Sequence, residues 1–94
     1  MAAYIVVHGT IKDPDKMKEY GTGASATLKT HGAEVVSRAG SETLAGENPH
    51  NLTVILKFPT CAAAHAWYGS AEYQALIPTR EAAMDAVFTL TGDD

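Results

Sequence analysis

The chain has 94 residues, of which 46% are hydrophobic, and its 7 Lys and Arg against 11 Asp and Glu leave a formal net charge of −4. This length suits a single domain, residues 1–94, and the acidic balance without a basic cluster argues against nucleic acid or an anionic membrane as a partner. One cysteine excludes an internal disulfide framework, and without a long apolar run or a leader pattern we expect a cytoplasmic protein.

The first two predicted elements are a strand and a helix. Residues 2–11 carry apolar side chains on both alternating faces, so both faces of this strand need cover. Asp13 suits an N-cap and Pro14 suits the first helical position, so a helix is expected to begin there. Apolar residues then recur at helical spacing as far as His31, and Gly32 supplies the left-handed residue that commonly ends a helix.

Two strands joined by a loop are predicted next. Within residues 33–44 the side chains alternate between two faces, one with Val35, Ser37 and Ala39 and the other with Glu34, Val36 and Arg38. The Gly, Asn and Pro residues of 46–51 indicate a loop, and residues 52–58 are the clearest strand in the chain. The two strands are expected to pair as a hairpin.

The last third of the chain predicts helices followed by a strand. Its helix boundaries are marked by capping and breaking residues, namely Thr60, Gly69, Ser70 and Pro78. Residues 61–68 form an alanine-rich helix, and a second helical segment after it is kinked or restarted by the proline. Residues 86–91 form the last strand, and residues 92–94 are expected to be a frayed acidic tail.

The order of these elements is β-α-β-β-α-β. That order is typical of the ferredoxin-like, split βαβ arrangement, an α+β fold with a four-stranded antiparallel sheet and helices on one face. The strands carry apolar residues on both faces, whereas the helices cover only one. A second copy of the sheet is the simplest cover for the other face, so the sequence predicts a homodimeric α/β barrel.

The most distinctive string of the chain is Trp67-Tyr68-Gly69-Ser70-Ala71-Glu72-Tyr73-Gln74, with Arg80 downstream. Together with the opening strand, the helix start at Asp13 and the Arg38-Ala39-Gly40 strand, it resembles the domain-of-unknown-function family DUF1330 over nearly the whole chain. The resemblance implies the dimeric α/β-barrel superfamily, whose branches include antibiotic-biosynthesis monooxygenases, haem-degrading enzymes, muconolactone isomerases and polyketide cyclases. Two departures stand out: family members usually have Arg-Gly-Gly where this chain has Arg38-Ala39-Gly40, and often Glu-Gly where it has Ala45-Gly46-Glu47.

Two arginines, Arg38 and Arg80, are the only ones in the chain and are the first candidate site residues. Both are expected to face partly buried space, where a guanidinium needs partners and its planar fork suits a carboxylate. One interpretation is a pocket between helices and sheet that binds a small acidic or oxygenated organic molecule. The other is that each arginine pairs with an internal carboxylate such as Glu47, Glu72 or Glu81.

Aromatic and loop residues complete the candidate site. The aromatic candidates for its walls are Tyr20, Trp67, Tyr68 and Tyr73, for which core packing is an equal explanation. Glu47 and His50 lie in the predicted loop near the pocket mouth, and His50 is the acid–base candidate. The four histidines, His8, His31, His50 and His65, stand on different elements without metal-ligand spacing, so no metal is predicted. Cys61 is interpreted as a small buried apolar residue.

The leading functional hypothesis is a homodimer that binds its ligand through Arg38, Trp67, Tyr20, Tyr68 and Glu47. Its chemistry, if any, is expected to need no cofactor, with Tyr73, Arg80 and His50 serving an isomerase, lyase or cyclase reaction through an oxyanion. This reaction class follows from the superfamily that the resemblance implies. The alternatives are a non-enzymatic binding or regulatory module, a haem- or oxygen-dependent monooxygenase-like enzyme, and a structural dimer whose arginines pair internally.

Overall fold

Four antiparallel strands form one sheet, and the helices pack against one of its faces. A computed structural model describes residues 2–92. The elements in chain order are β1 (Ala3–Ile11), α1 (Pro14–Thr30), β2 (Glu34–Gly40), β3 (Leu52–Phe58), α2 (Cys61–Tyr68), α3 (Ala71–Gln74), α4 (Ile77–Ala83) and β4 (Met84–Gly92). The strand order β2-β3-β1-β4, with antiparallel pairing throughout, confirms the ferredoxin-like α+β fold.

The predicted caps start the helices. Asp13, Thr60 and Ser70 each accept backbone N–H groups with a side-chain oxygen in the first turns of α1, α2 and α3. Pro78 lies in the first turn of α4, so it restarts a helix instead of kinking one. Gly32 follows α1 with a φ of +71°, the left-handed conformation for which a glycine was predicted there.

The sheet has one covered face and one open face. On β1, Ile5 and Val7 are buried beneath the helices and belong to the hydrophobic core. The alternate residues Tyr4, Val6 and His8 are only half-buried and lie on the other side, which no helix of residues 2–92 covers. This open face is the one for which the sequence predicts a second copy as cover.

Strand β2 departs from the predicted alternation. Its pairing with β3 shifts between Val35 and Ser37, so Val36 is an extra residue and forms a β-bulge. Beyond the bulge, each residue of β2 therefore lies on the sheet face opposite to the one that simple alternation would give it. Val35 and Arg38 both pair with residues on the helix-facing side of β3, so the prediction that they lie on opposite faces was wrong.

The remaining differences concern element ends. β2 ends at Gly40, earlier than predicted, because the following residues form loop rather than ladder. α4 ends at Ala83 and β4 begins directly at Met84, so the last strand is longer than predicted. Gly92 is the last residue of β4, and the rest of the predicted tail, residues 93–94, lies outside the described residues. In the described range, none of the helices is long and apolar enough to cross a membrane.

Candidate small-molecule site

A pocket of about 70 Å³ opens between α1 and the helix-facing side of the sheet. Most of its wall is apolar and includes Leu28, Val35, Leu56, Trp67, Met84 and Phe88. The polar groups on the wall are those of Tyr20, Ser25 and Arg38. No Asp, Glu or His of the described chain lines it, so the pocket suits an apolar body that carries an acceptor or a negative charge.

Arg38 is exposed and not partly buried as predicted; it lies where this pocket meets an outer groove along α1, and it lines both. The β2 bulge turns it toward α1, where a Cβ added at Gly21 would lie 3.9 Å from the Arg38 Nη1. Within residues 2–92 the Arg38 guanidinium makes neither an ion pair nor a hydrogen bond. Its donors are therefore available to an anion at the pocket mouth.

A second polar group, the tyrosine–arginine cluster, consists of Tyr20, Tyr68, Tyr73 and Arg80. Nη1 of Arg80 donates hydrogen bonds to the hydroxyls of Tyr68 and Tyr73, each at 3.0 Å. The Tyr73 hydroxyl lies 2.8 Å from the hydroxyl of Tyr20, and Tyr20 is one of the residues that line the pocket. The cluster thus connects the cation of Arg80 to the pocket wall through two phenols.

Arg80 is not neutralised by a carboxylate. Among the ion pairs of the described residues none includes Arg80, and Glu72 and Glu81 are exposed. The guanidinium instead lies over the ring of Phe88, 4.8 Å from its centroid, and bonds the two phenols. The internal salt bridge that the sequence left open for Arg80 is therefore contradicted, and the cluster keeps its positive charge.

Burial controls the protonation of this cluster. It raises the pKa of Tyr20 well above the usual range for a phenol, and the nearby Tyr73 adds to that rise. Burial also raises the pKa of Tyr73, although its hydrogen bonds with Tyr20 and Arg80 oppose the shift. For Arg80 burial acts to lower the pKa, but the hydrogen bonds to Tyr68 and Tyr73 outweigh it and raise the pKa. At neutral pH Tyr20 and Tyr73 are therefore neutral and the guanidinium of Arg80 is charged.

Trp67 is a rigid inner wall of the pocket. Its indole is 1% exposed, and its ring centroid lies 4.2 Å from that of Tyr73 and 5.4 Å from that of Phe58. Nε1 donates a hydrogen bond to the Thr27 hydroxyl at 2.9 Å. Because both its ring and its N–H are held, Trp67 presents a fixed apolar surface to a ligand.

The predicted site residues do not all meet. Tyr20, Arg38 and Trp67 line the pocket, while Tyr73 and Arg80 lie behind it in the cluster. The remaining three, none of which lines the pocket, are Tyr68, Glu47 and His50. Tyr68 belongs to the cluster without lining the pocket, Glu47 is exposed in the loop after β2, and Nδ1 of His50 lies 2.9 Å from Oγ1 of Thr10 on the open face of the sheet.

Most of the pocket lining was not among the predicted site residues, and Gly21 and Phe88 are two examples. Gly21 falls inside the predicted first helix, where a glycine is costly, and that cost is a signal that a side chain is not wanted at the position. Phe88 sits on the helix-facing side of β4, as the period-two alternation of the strand indicates. In the described part of the chain, no three His, Cys, Asp or Glu side chains come together as a metal site.

Residues 2–92 match the model of a family described as Domain of unknown function (DUF1330), which confirms the resemblance found in the sequence. No curated protein matches the chain.

Solved structures share the fold at low sequence identity. A protein of unknown function from Rhodopseudomonas palustris is 17% identical with a TM-score of 0.78, over 96% of this chain and 80% of that one. SnoaB, a cofactor-independent oxygenase from Streptomyces nogalater, is 10% identical with a TM-score of 0.72, over 99% and 93%. A dimeric ferredoxin-like protein of unknown function from Thermobifida fusca is 14% identical with a TM-score of 0.66, over 97% and 90%. These likenesses show the fold.

Proposed function

This chain belongs to the DUF1330 family, and we propose that it binds a small organic anion in the pocket between α1 and the sheet. The apolar part of the ligand lies against Trp67 and Leu56, and its acidic group binds the guanidinium of Arg38. The observation that carries the proposal is Arg38 itself. It is a cation without a side-chain partner in residues 2–92, and it stands at the mouth of an apolar pocket.

The size of the pocket limits the ligand and its position. The volume of about 70 Å³ is roughly half that of a cavity known to hold benzene, about 150 Å³. A ring-sized ligand therefore extends from the pocket into the outer groove, passing Arg38 at the junction. Lys18 lines that groove and adds a second cation. The ligand class is a partly apolar molecule with one acidic end.

The pocket residues support ligand binding better than they support acid–base catalysis. An isomerase, lyase or cyclase moves a proton, and the described pocket wall offers no Asp, Glu or His to act as the base. Tyr20 holds its proton at neutral pH, so it serves as a donor and not as a base. Arg38 and Tyr20 together are suited to stabilise an oxyanion that the ligand already carries.

The binding role is tested by an NMR titration of ¹⁵N-labelled protein with benzoate and with benzamide, its neutral analogue of similar shape. We expect benzoate to shift the amides of Gly21 and Ser25 and to bind about tenfold or more tightly than benzamide, because a hydrogen bond to a charged group contributes roughly 1.5–3 kcal/mol. Arg38→Gln removes the preference. The matched control Lys29→Gln, which removes an exposed cation in the last turn of α1, keeps it. Equal affinity for the two probes contradicts the proposal.

We further propose that the open face of the sheet packs on the same face of a second copy. Apolar side chains there are incompletely buried, namely Tyr4, Val6, Ile55 and Val87, and the last of these is 53% exposed. Burying them removes apolar surface from water, which favours association. The protein of like fold from Thermobifida fusca is described as dimeric, which supports association of two copies.

A further inference from the structure

We infer that Arg80, acting through Tyr73, orients the hydrogen bonds of the cluster so that Tyr20 presents its O–H to the pocket as a donor to the oxyanion of the ligand. This inference rests on the proposed function for the identity of the ligand. Tyr20 is then a specificity-determining residue, and Tyr73 and Arg80 are positioning residues. The site accepts an oxyanion at this point and disfavours a group that can only donate.

The direction follows from counting donors and acceptors. A guanidinium can only donate, so the Tyr73 hydroxyl accepts from Arg80 at 3.0 Å. Tyr73 is 0% exposed, and the described residues offer its proton one acceptor in reach, the Tyr20 oxygen at 2.8 Å. If Tyr20 donated to Tyr73 instead, the Tyr73 proton would be buried without an acceptor, which is costly. Tyr73 therefore donates to Tyr20.

Tyr20 still has its own proton to donate. Within residues 2–92 its hydroxyl makes no hydrogen bond other than the one with Tyr73, and Tyr20 lines the pocket. An oxygen atom of the ligand is the natural acceptor. Successive donors polarise one another, so the series from Arg80 through Tyr73 makes Tyr20 a stronger donor than an isolated phenol.

The hydrogen bond runs from Tyr73 to Tyr20 only while both phenols are protonated. Burial raises the pKa of both, so both are protonated at neutral pH. If a proton is removed in strong alkali, Tyr73 is the phenol that Arg80 stabilises as an anion, and the bond reverses so that Tyr20 donates. Recognition of an oxyanion by Tyr20 is therefore a property of the protein near neutral pH.

A measurement without any ligand tests the direction. In equal parts of H₂O and D₂O, a slowly exchanging tyrosine hydroxyl gives two signals for its Cζ carbon, whereas a rapidly exchanging one gives a single averaged signal. We expect two signals for Tyr73, whose proton is buried between phenols, and one for Tyr20, whose proton meets pocket water. Tyr→Phe variants assign the signals. A single signal for Tyr73, or two for Tyr20, overturns the inference.

The consequence for recognition is tested with benzoate and benzamide. Tyr73→Phe leaves Tyr20 in place but separates it from Arg80, so the affinity for benzoate falls about three- to tenfold, while that for benzamide, whose carbonyl is a neutral and weaker acceptor, falls by less. Tyr68→Phe is the matched control, because Tyr68 accepts from the same Nη1 without lining the pocket, and its benzoate affinity stays within about twofold. Equal losses in the two variants, or no loss in Tyr73→Phe, overturn the role in recognition. If the wild type binds neither probe, the proposed function fails, and the isotope pattern still decides the direction.

Discussion

The indole Nε1 of Trp67 donates a hydrogen bond to the Thr27 hydroxyl across 2.9 Å. The Thr27 hydroxyl in turn donates a hydrogen bond to the carbonyl oxygen of Ala24 at 2.8 Å, so it is both an acceptor and a donor. This pair joins α2 to the last turn of α1 and holds the indole against the pocket. Removing one member of such a buried pair lowers the free energy of unfolding, because the other member is left without a hydrogen-bond partner.

Thr27→Val is therefore expected to lower the free energy of unfolding by about 1–3 kcal/mol, because the buried Trp67 N–H loses its acceptor. Thr30→Val is the matched control on the same helix. Its exposed hydroxyl bonds back to the carbonyl of Ala26, so the change should stay within about 0.5 kcal/mol. Urea unfolding monitored by Trp67 fluorescence measures both, and equal losses would show that the indole N–H is satisfied in some other way.

Gly21→Ala is expected to raise stability and to weaken benzoate binding. Within a helix the substitution stabilises by roughly 0.5–1 kcal/mol, and the new Cβ would meet Arg38 Nη1 at an ordinary 3.9 Å. The same methyl group narrows the pocket mouth, which Gly21 lines. Thermal unfolding and the benzoate titration measure the two opposite effects.

Gly23→Ala is the comparison for that substitution. It stands on the same helix but does not line the pocket, and its Cβ would come 2.8 Å from Leu76 Cδ2, so Leu76 must shift. We expect a smaller gain in stability and an unchanged affinity. If Gly23→Ala weakens benzoate binding as much as Gly21→Ala does, the loss comes from a change in the helix and not from narrowing of the pocket mouth.

Stability is expected to fall as the pH rises above about 10, where the tyrosines of the unfolded chain ionise. Burial raises the pKa of Tyr20 and Tyr73 in the folded protein, so both keep their protons there while the unfolded chain loses them. Their contribution is complete below the unfolded pKa and is lost as the pH climbs toward the folded one. Tyr20→Phe should therefore flatten the decline above pH 10 without changing the slope between about pH 7 and 9. An unchanged slope above pH 10 would contradict the assigned pKa shift.

Ile55→Asp is expected to convert the proposed dimer to a monomer. Ile55 pairs with Val6 at the centre of the open face, and burying a carboxylate there without a partner opposes association. Native mass spectrometry at micromolar concentration reads the result directly. Ala66→Asp adds the same charge at an exposed position of α2 and should leave the dimer intact. A wild-type protein that is itself monomeric would contradict the proposed dimer.

Local features of the fold were predictable because they depend on near neighbours in sequence. Asp13, Thr60 and Ser70 cap helices through bonds to N–H groups two or three residues away. Sheet alternation on β4 and the order of elements follow from residue patterns in the same way. These features were enough to predict the topology, and the open face of the sheet followed from counting apolar faces.

The site depends on relations between distant residues, which a single sequence does not display. The direction of Arg38 follows from one extra residue in β2, and a bulge is defined only by the pairing with β3. Arg80 was expected to need a carboxylate, yet two phenols satisfy it, one of them on α2 and the other on α3. His50 was expected near the pocket mouth because it lies in the loop beside Glu47. The structure instead places it against Thr10, on the open face of the sheet.

A crystal structure of the protein with benzoate is the decisive measurement for the proposed site. We expect the carboxylate within about 3 Å of the Arg38 guanidinium and the ring between α1 and Trp67. Benzoate bound elsewhere, with Arg38 paired to a carboxylate of the chain and the pocket empty, would contradict it.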